Sequence, residues 1–407
     1  MITAGMCKRN YSPSSKELGH KLICPVCGSP DIAVLPAPHA GRSMASDGRV
    51  IAAALEKASC CACGHGFHAR PLTSEDRDQL YDDSYDLGLH DVAADASRAT
   101  DYAALITEFI DRHVPGYRLP GLSIVEYGCG SGALLNRLVQ QWQAAPSLGI
   151  EAASGLVDAA RMRGWQNVEI RQGFAEAAAA SVPHYDLCLS VNVVEHALDP
   201  VSFLAVGKTS IGQDGLIVTI CPNGDWPSTE LLFRDHVSSF TTSSFAAVAE
   251  QAGLRVVTSA ALSGRQSGFS IYLLQHGASP KSTNAAAAEL AEKRLRYLEG
   301  WQELEGAVLK GVGTRPFVIF GTGEFADLLH AYCPRVTDRA QCYVVDRPVQ
   351  STRHGRDILD IVQFEEERIL LLAAVHPRSW PLLCDRFGPD SDRLIHPYQF
   401  SSLRSEL

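Results

Sequence analysis

The stretch Ile124-Val-Glu-Tyr-Gly-Cys-Gly-Ser-Gly-Ala133 constrains the chain more than any other. Leu122 to Val125 is a short apolar run that reads as a buried parallel strand, and Glu126 stands at its C-terminal end. Gly128, Gly130 and Gly132 then make a tight turn, and Leu134 to Trp142 has the pattern of a helix. Strand, glycine-rich turn and helix form the first unit of a nucleotide-binding α/β fold. The glycines let backbone approach a ligand where a Cβ would collide.

From Leu119 to about His276, strand-like and helical segments alternate, as a doubly wound parallel sheet requires. Leu148 to Ile150 is the second strand, with Glu151 at its end. A carboxylate there can accept both ribose hydroxyls of a nucleoside. Val168 to Ile170 is the third, followed by Gly173-Phe174, where an adenine ring would lie. Tyr185 to Ser190 is the fourth and runs into Asn192, Glu195 and His196. Leu216 to Ile220 is the fifth, ending in Cys221-Pro222-Asn223. In open α/β sheets, ligands bind beyond the strands' C-terminal ends, where Glu126, Glu151, Asn192 and Asn223 all fall.

Glu126, the Gly-x-Gly-x-Gly turn and Gly149-Ile-Glu151 about 20 residues on together resemble the S-adenosylmethionine (SAM) signature of class I methyltransferases. The resemblance implies SAM as cofactor, held by Glu126, Gly128, Gly130, Gly132, Glu151, Phe174 and Asn192. It also implies that Leu254 to Ser259 and Ser270 to Gln275 close the sheet as an antiparallel hairpin.

Two Cys-x-x-Cys knuckles precede this domain: Cys24-Pro-Val-Cys27-Gly28 and Cys60-Cys-Ala-Cys63-Gly64. Each ends in a glycine that permits the turn freeing backbone N–H groups for the thiolates. The spacing is that of a zinc ribbon with Cys24, Cys27, Cys60 and Cys63 as ligands. Cys61 breaks the spacing, and His65 and His68 are substitutes. The other reading is a set of reduced structural cysteines. Four thiolates make a closed site, so the ion is expected to be structural. The insert from Ile32 to Ser59 reads as a loop and then a helix over Val50 to Ala58.

The expected architecture is α/β: a class I methyltransferase Rossmann-like doubly wound sheet, an N-terminal zinc-ribbon module and a smaller C-terminal Rossmann-like domain. The boundaries are 1–72 for the ribbon, 73–118 for a helical connector or lid, 119–278 for the SAM domain and 285–407 for a linker helix and the last domain. Residues 1–20 are polar and expected to be poorly ordered. Asp101 to His113 looks helical, and so does Ala285 to Lys310, where Leu298, Trp301, Leu304 and Val308 recur at helical spacing as a core stripe. The last domain opens on Pro316 to Phe320, Gly321-Thr-Gly323 and a helix, with Asp346 ending a second strand. Such a half-domain supplies one mononucleotide-sized site, so binding part of the substrate or structural packing is expected before dinucleotide binding.

The order of zinc ribbon, SAM domain and Rossmann-like domain resembles the sugar C-methyltransferases, which act on nucleotide-activated keto-deoxysugars. The motif carrying this is Leu232-Phe-Arg-Asp235-His236-Val-Ser-Ser-Phe240-Thr-Thr-Ser-Ser-Phe245, where that family has a His-Glu-His core. Asp235 and His236 keep the residue types; Arg234 replaces the first His. Methylating a carbon beside a ketone needs a base and a stabilised oxygen, and a His near neutral pH suits the first role. The resemblance implies His236 as base, Asp235 orienting it or the substrate, and His196, Tyr81 and Tyr85 lining the pocket. Surface or packing tyrosines, and a His196 that only caps a helix, are the plainer readings. O- or N-methylation of a glycan or secondary metabolite could use the same His. A noncatalytic SAM-binding or zinc-ribbon adaptor is the reading from another class.

At 407 residues the chain exceeds one ordinary domain, and 46% hydrophobic with 20% charged content fits a globular protein with sizeable cores. A net charge of −10 argues against a nucleic-acid partner. No run approaches the ~18 apolar residues of a membrane span, and no signal-peptide core is apparent. A cytoplasmic protein with a small-molecule, nucleotide-linked substrate is expected. The twelve cysteines then suggest metal ligands and buried thiols before disulfides.

Overall fold

The computed structural model describes residues 22–82, 84–85, 92–117, 120–178, 184–278, 284–364, 369–388 and 392–407. Residues 1–20, the domain start at Leu119 and most of the linker before Asn284 lie outside these. The described chain forms two compact units. The first comprises residues up to 33, 58–230 and 235–291; the second comprises 34–57, 231–234 and 292–407.

Five short strands come first: β1 (Ile32–Val34), β2 (Ser43–Met44), β3 (Val50–Ile51), β4 (Lys57–Cys60) and β5 (Gly66–His68). The helix expected over 50–58 is absent. Val50 and Ile51 are β-branched, favour extended backbone and pair with β2 instead. Helices α1 (Ser74–Leu80) and α2 (Val92–His113) follow. A capping box between Thr73 and Asp76 starts α1.

The alternation then unfolds as β6 (Ile124–Tyr127), α3 (Ala133–Trp142), β7 (Ser147–Glu151), α4 (Ser154–Met162), β8 (Val168–Gln172), α5 (Ala175–Ala178), β9 (Tyr185–Val191), α6 (Pro200–Thr209) and β10 (Ile211–Pro222). After the short β11 (Ser238–Ser239) come α7 (Thr242–Gln251), β12 (Leu254–Ala261) and β13 (Phe269–His276). The seven-stranded sheet has the order β12-β13-β10-β9-β6-β7-β8. It is parallel except for β13, which pairs antiparallel with both β10 and β12, as expected. The chain order reverses between β6 and β9, so the ends of β6, β7 and β9 open on one crevice.

Alternate residues feed the two faces of this sheet. Ile124, Leu187, Leu189 and Val218 pack with Ile106, Phe109, Leu135 and Leu138 of α2 and α3. Val125, Tyr127, Cys188 and Ile217 pack with Phe203, Phe245 and Val248 of α6 and α7. Asp199 starts α6 by accepting from the amides of Val201 and Ser202, with Pro200 in the first turn. The four-stranded sheet β1-β4-β5-β11 carries the second cysteine knuckle and joins the latter core through Cys60, Cys63 and Phe67.

Most of α8 (Ala287–Val312) belongs to the second unit, with β14 (Phe317–Phe320), α9 (Glu324–Tyr332), α10 (Pro334–Arg339), β15 (Tyr343–Val345), β16 (Thr352–Arg353), β17 (Arg356–Asp360), β18 (Leu370–Ala373), α11 (Trp380–Phe387) and β19 (Leu394–Ile395). Leu298, Trp301, Leu304 and Val308 form the expected buried stripe of α8. Six strands run β16-β17-β15-β14-β18-β19, with β14 parallel to both neighbours. Asp346, at the end of β15, is engaged by the Arg386 guanidinium at 2.7 and 2.5 Å.

Candidate active site

The glycine-rich turn runs through left-handed backbone that favours glycine. Gly128, Gly130 and Gly132 have φ of +69°, +53° and +74°. A Cβ on Gly128 would lie 2.2 Å from Cγ2 of Val193. The amides of Gly128 and Cys129 bond the Ile150 carbonyl, tying the turn to β7. Glu151, at the end of β7, accepts from Gly130 N and from Ala153 N, each at 2.9 Å. Burial pushes its carboxyl up, against the pull of those amides. Glu126 is more extreme. Buried, with Glu151 close by, its carboxyl rises to about 8. Its Oε2 has no hydrogen-bond partner among the described residues. A glycine turn that backbone and ligand can approach closely, flanked by the buried carboxyl groups of Glu126 and Glu151, is suited to a cationic nucleoside such as SAM. Asn192, in left-handed backbone at φ +57°, and Phe174 after β8 complete the expected cofactor set by position.

A chain of rings leads away from this turn. Tyr81, which ends α1, packs against Tyr85 at 4.8 Å between centroids, Phe174 at 6.3 Å and His196 at 6.2 Å. His196 in turn meets His236 edge to face at 4.8 Å. All five catalytic positions expected from the sequence thus gather together, beside Phe174. Tyr81 is held protonated by burial first and then by the charges of Asp235 and Glu195, which makes its hydroxyl a donor at neutral pH.

Each imidazole has its own support. His196 Nδ1 lies 2.9 Å from the Asp235 carbonyl oxygen and 3.6 Å from its carboxylate. His236 Nδ1 faces Glu230 Oε2 at 3.7 Å, and Glu230 accepts from Ser239 Oγ at 2.5 Å. Burial lowers the His236 imidazole, but Glu230, Asp235 and Glu195 outweigh it and leave the pKa above its ordinary value. Asp235 is therefore the neighbour of His196, and the carboxylate facing the His236 ring nitrogen is Glu230. Glu195 lies 4.0 Å from His196 Nε2, and its burial pushes its carboxyl up to about 7. Glu195 and Glu230 were missed by sequence reasoning. A chain position beside His196 could have flagged Glu195, whereas Glu230 is a lone acid in a 3-10 turn and gave no signal. Arg234 belongs to the second unit, where Nη1 donates to the Ala54 carbonyl at 3.2 Å.

The four cysteine sulfurs of the knuckles also come together. Cys24 and Cys63 are 3.7 Å apart, and Cys27 and Cys60 3.5 Å. A tetrahedral ion with zinc–sulfur bonds near 2.3 Å would set these edges at ~3.8 Å. Gly28 and Gly64 turn through left-handed backbone at φ +70° and +77°. The amides of Ala62 and Cys63 point at the Cys60 sulfur. The neighbouring Cys60 sulfur pushes the Cys24 thiol up to about 12. Four cysteine sulfurs at these separations match a tetrahedral thiolate site, so the donor set fits zinc. Cys61 is buried outside this set, its amide bonded to Asp31.

No helix among the described residues is long and apolar enough to cross a membrane. Residues 95–259 match the family described as "Methyltransferase domain". Among curated relatives, the ubiquinone biosynthesis O-methyltransferase of Ruegeria sp. (strain TM1040) is 33% identical over 99 residues, which is 24% of this chain and 39% of that one. The protein of the same name from Dinoroseobacter shibae is 31% identical over 101 residues, 24% of this chain and 40% of its own. The chain thus spans about two fifths of the length of these relatives. A solved structure of the mitomycin 7-O-methyltransferase aligns with TM-score 0.37 and 20% identity, over 45% of this chain and 54% of that one. The strand order, the left-handed glycine turn and the family match converge on one segment, and within residues 95–259 the chain carries a class I SAM-dependent methyltransferase domain.

Proposed function

We propose that the chain is a SAM-dependent methyltransferase of a small-molecule acceptor, of the sugar C-methyltransferase kind, in which His236 takes the acceptor's proton. The observation that carries this is the pairing of buried His236 with Glu230, one ring away from His196 and two from Tyr81. Bound SAM supplies an electrophilic methyl group. Gly128, Gly130, Gly132, Glu151, Phe174 and Asn192 hold the cofactor, with Glu126 beneath the turn. Positioning is their main contribution. His236 removes a proton from carbon beside a ketone, and Glu230 stabilises the imidazolium that forms. Tyr81 donates a hydrogen bond to the oxygen on which charge develops. Asp235 holds His196 in place, and Tyr85 backs Tyr81. Zinc on Cys24, Cys27, Cys60 and Cys63 is structural. The acceptor is nucleotide-linked in this reading, with neither nucleic acid nor membrane as a partner.

A second reading, O-methylation, is favoured by the names of the curated relatives. His236 would then take a hydroxyl proton. Incubation with a nucleotide-linked keto-deoxysugar in heavy water separates the two. C-methylation predicts deuterium entering the carbon beside the ketone, and His236→Ala lowers both exchange and kcat by at least about 100-fold. Turnover whose product carries the new methyl group on oxygen, located by NMR, would refute the carbon reading.

A further inference from the structure

The turn Gly128-Cys-Gly-Ser-Gly132 has only two side chains by which the protein can hold it. Cys129 packs into a small core with Val157, Ala160 and Ile170. Ser131 is the polar handle, and it is buried. Its Oγ donates to Asp95 Oδ2 at 2.6 Å. Arg163 Nη1 donates to the same Asp95 oxygen at 2.7 Å and to Ser131 Oγ at 3.1 Å. The Ser131 carbonyl accepts from Trp165 Nε1 at 2.9 Å. Asp95 Oδ1 faces Arg98 at 3.6 Å, so both carboxylate oxygens are committed. Asp95 comes from the first turn of α2, ahead of the sheet; Arg163 and Trp165 come from the turn after α4.

We propose that Asp95 is a positioning residue for the cofactor, acting through Ser131 with Arg163 as its counter-charge. Three glycines in left-handed backbone make this turn costly to order. A ligand binding an unheld turn would bear that cost. The Asp95–Ser131–Arg163 cluster removes it beforehand by fixing Ser131 from outside, while Glu151 fixes Gly130 N from the other side. Asp95 reaches the turn through Ser131 Oγ. The inference rests on the reading that the turn holds SAM.

The test is equilibrium dialysis with SAM on the full chain, alongside steady-state kinetics. Asp95→Asn weakens SAM binding by at least about tenfold, the scale of a lost charge-assisted hydrogen bond. The KM for SAM rises in step, while kcat at saturating SAM and the KM for acceptor stay within about twofold. Ser131→Ala, which removes no charge and should fold, produces the same pattern. Combined with Ser131→Ala, Asp95→Asn adds little further loss of SAM affinity, because Asp95 reaches the turn through Ser131 Oγ. SAM affinity unchanged in Ser131→Ala would overturn the proposal. So would effects of the two substitutions that simply add, or an acceptor KM that rises equally. Absence of SAM binding by the unaltered chain would instead overturn the cofactor reading itself.

Discussion

Glu126→Gln tests the electrostatics beside the glycine turn most sharply. The Glu126 carboxyl is fully buried beside Glu151, with Oε2 lacking a hydrogen bond among the described residues, and its pKa stands near 8 against 4.5 for the ordinary group. The folded protein therefore binds this proton more tightly than the unfolded chain does. The associated stability is fully present below pH 4.5 and is lost as pH rises through about 8. A rise of that size corresponds to roughly 5 kcal/mol, an upper bound because neighbouring groups relax. Glutamine keeps the shape and cannot ionise. The assay is urea unfolding of both proteins from pH 5 to pH 9, with unchanged m values checking that the same transition is compared. The gap between them should open with pH in favour of Glu126→Gln, by several kcal/mol. A buried amide adds only a constant offset, so the slope is the signature. A gap that stays flat with pH, or opens in favour of the unaltered protein, would refute this account of the site.

Three further outcomes follow from the same geometry. Gly128→Ala forces a Cβ onto Val193 at a left-handed φ and should abolish measurable SAM binding, while far-UV circular dichroism stays near normal. Metal analysis should find about one zinc per chain, falling several-fold in Cys60→Ser; unchanged zinc content would remove the ribbon site. Binding of cationic SAM should pull the Glu126 pKa down from about 8 and release a proton near pH 7.5, seen as a buffer-dependent heat by calorimetry. Proton uptake would contradict it.

Much of the sheet was legible because its signals are local. The turn's glycines, the acids ending β6 and β7 and the apolar runs each speak for their own segment. The insert between the cysteine knuckles was misread because β2 and β3 are held by pairing and burial, with Leu55 and Met44 in the core of the second unit. Residues 34–57 pack with the C-terminal part of the chain, which no composition shift announces. The candidate site was legible where residues carry a motif, as Asp235 and His236 do. It was opaque where topology alone supplies a group: Glu230 reaches His236, and Asp95 reaches Ser131 from 36 residues away in sequence.

In the proposed function, the turn from Gly128 to Gly132, with Glu151, holds SAM for transfer to a small molecule. Equilibrium dialysis of the full chain with labelled SAM tests it most directly. One equivalent should bind at sub-millimolar concentration, and Glu151→Ala should weaken it by at least about tenfold. No binding by the unaltered chain, or binding indifferent to Glu151→Ala, would contradict the account.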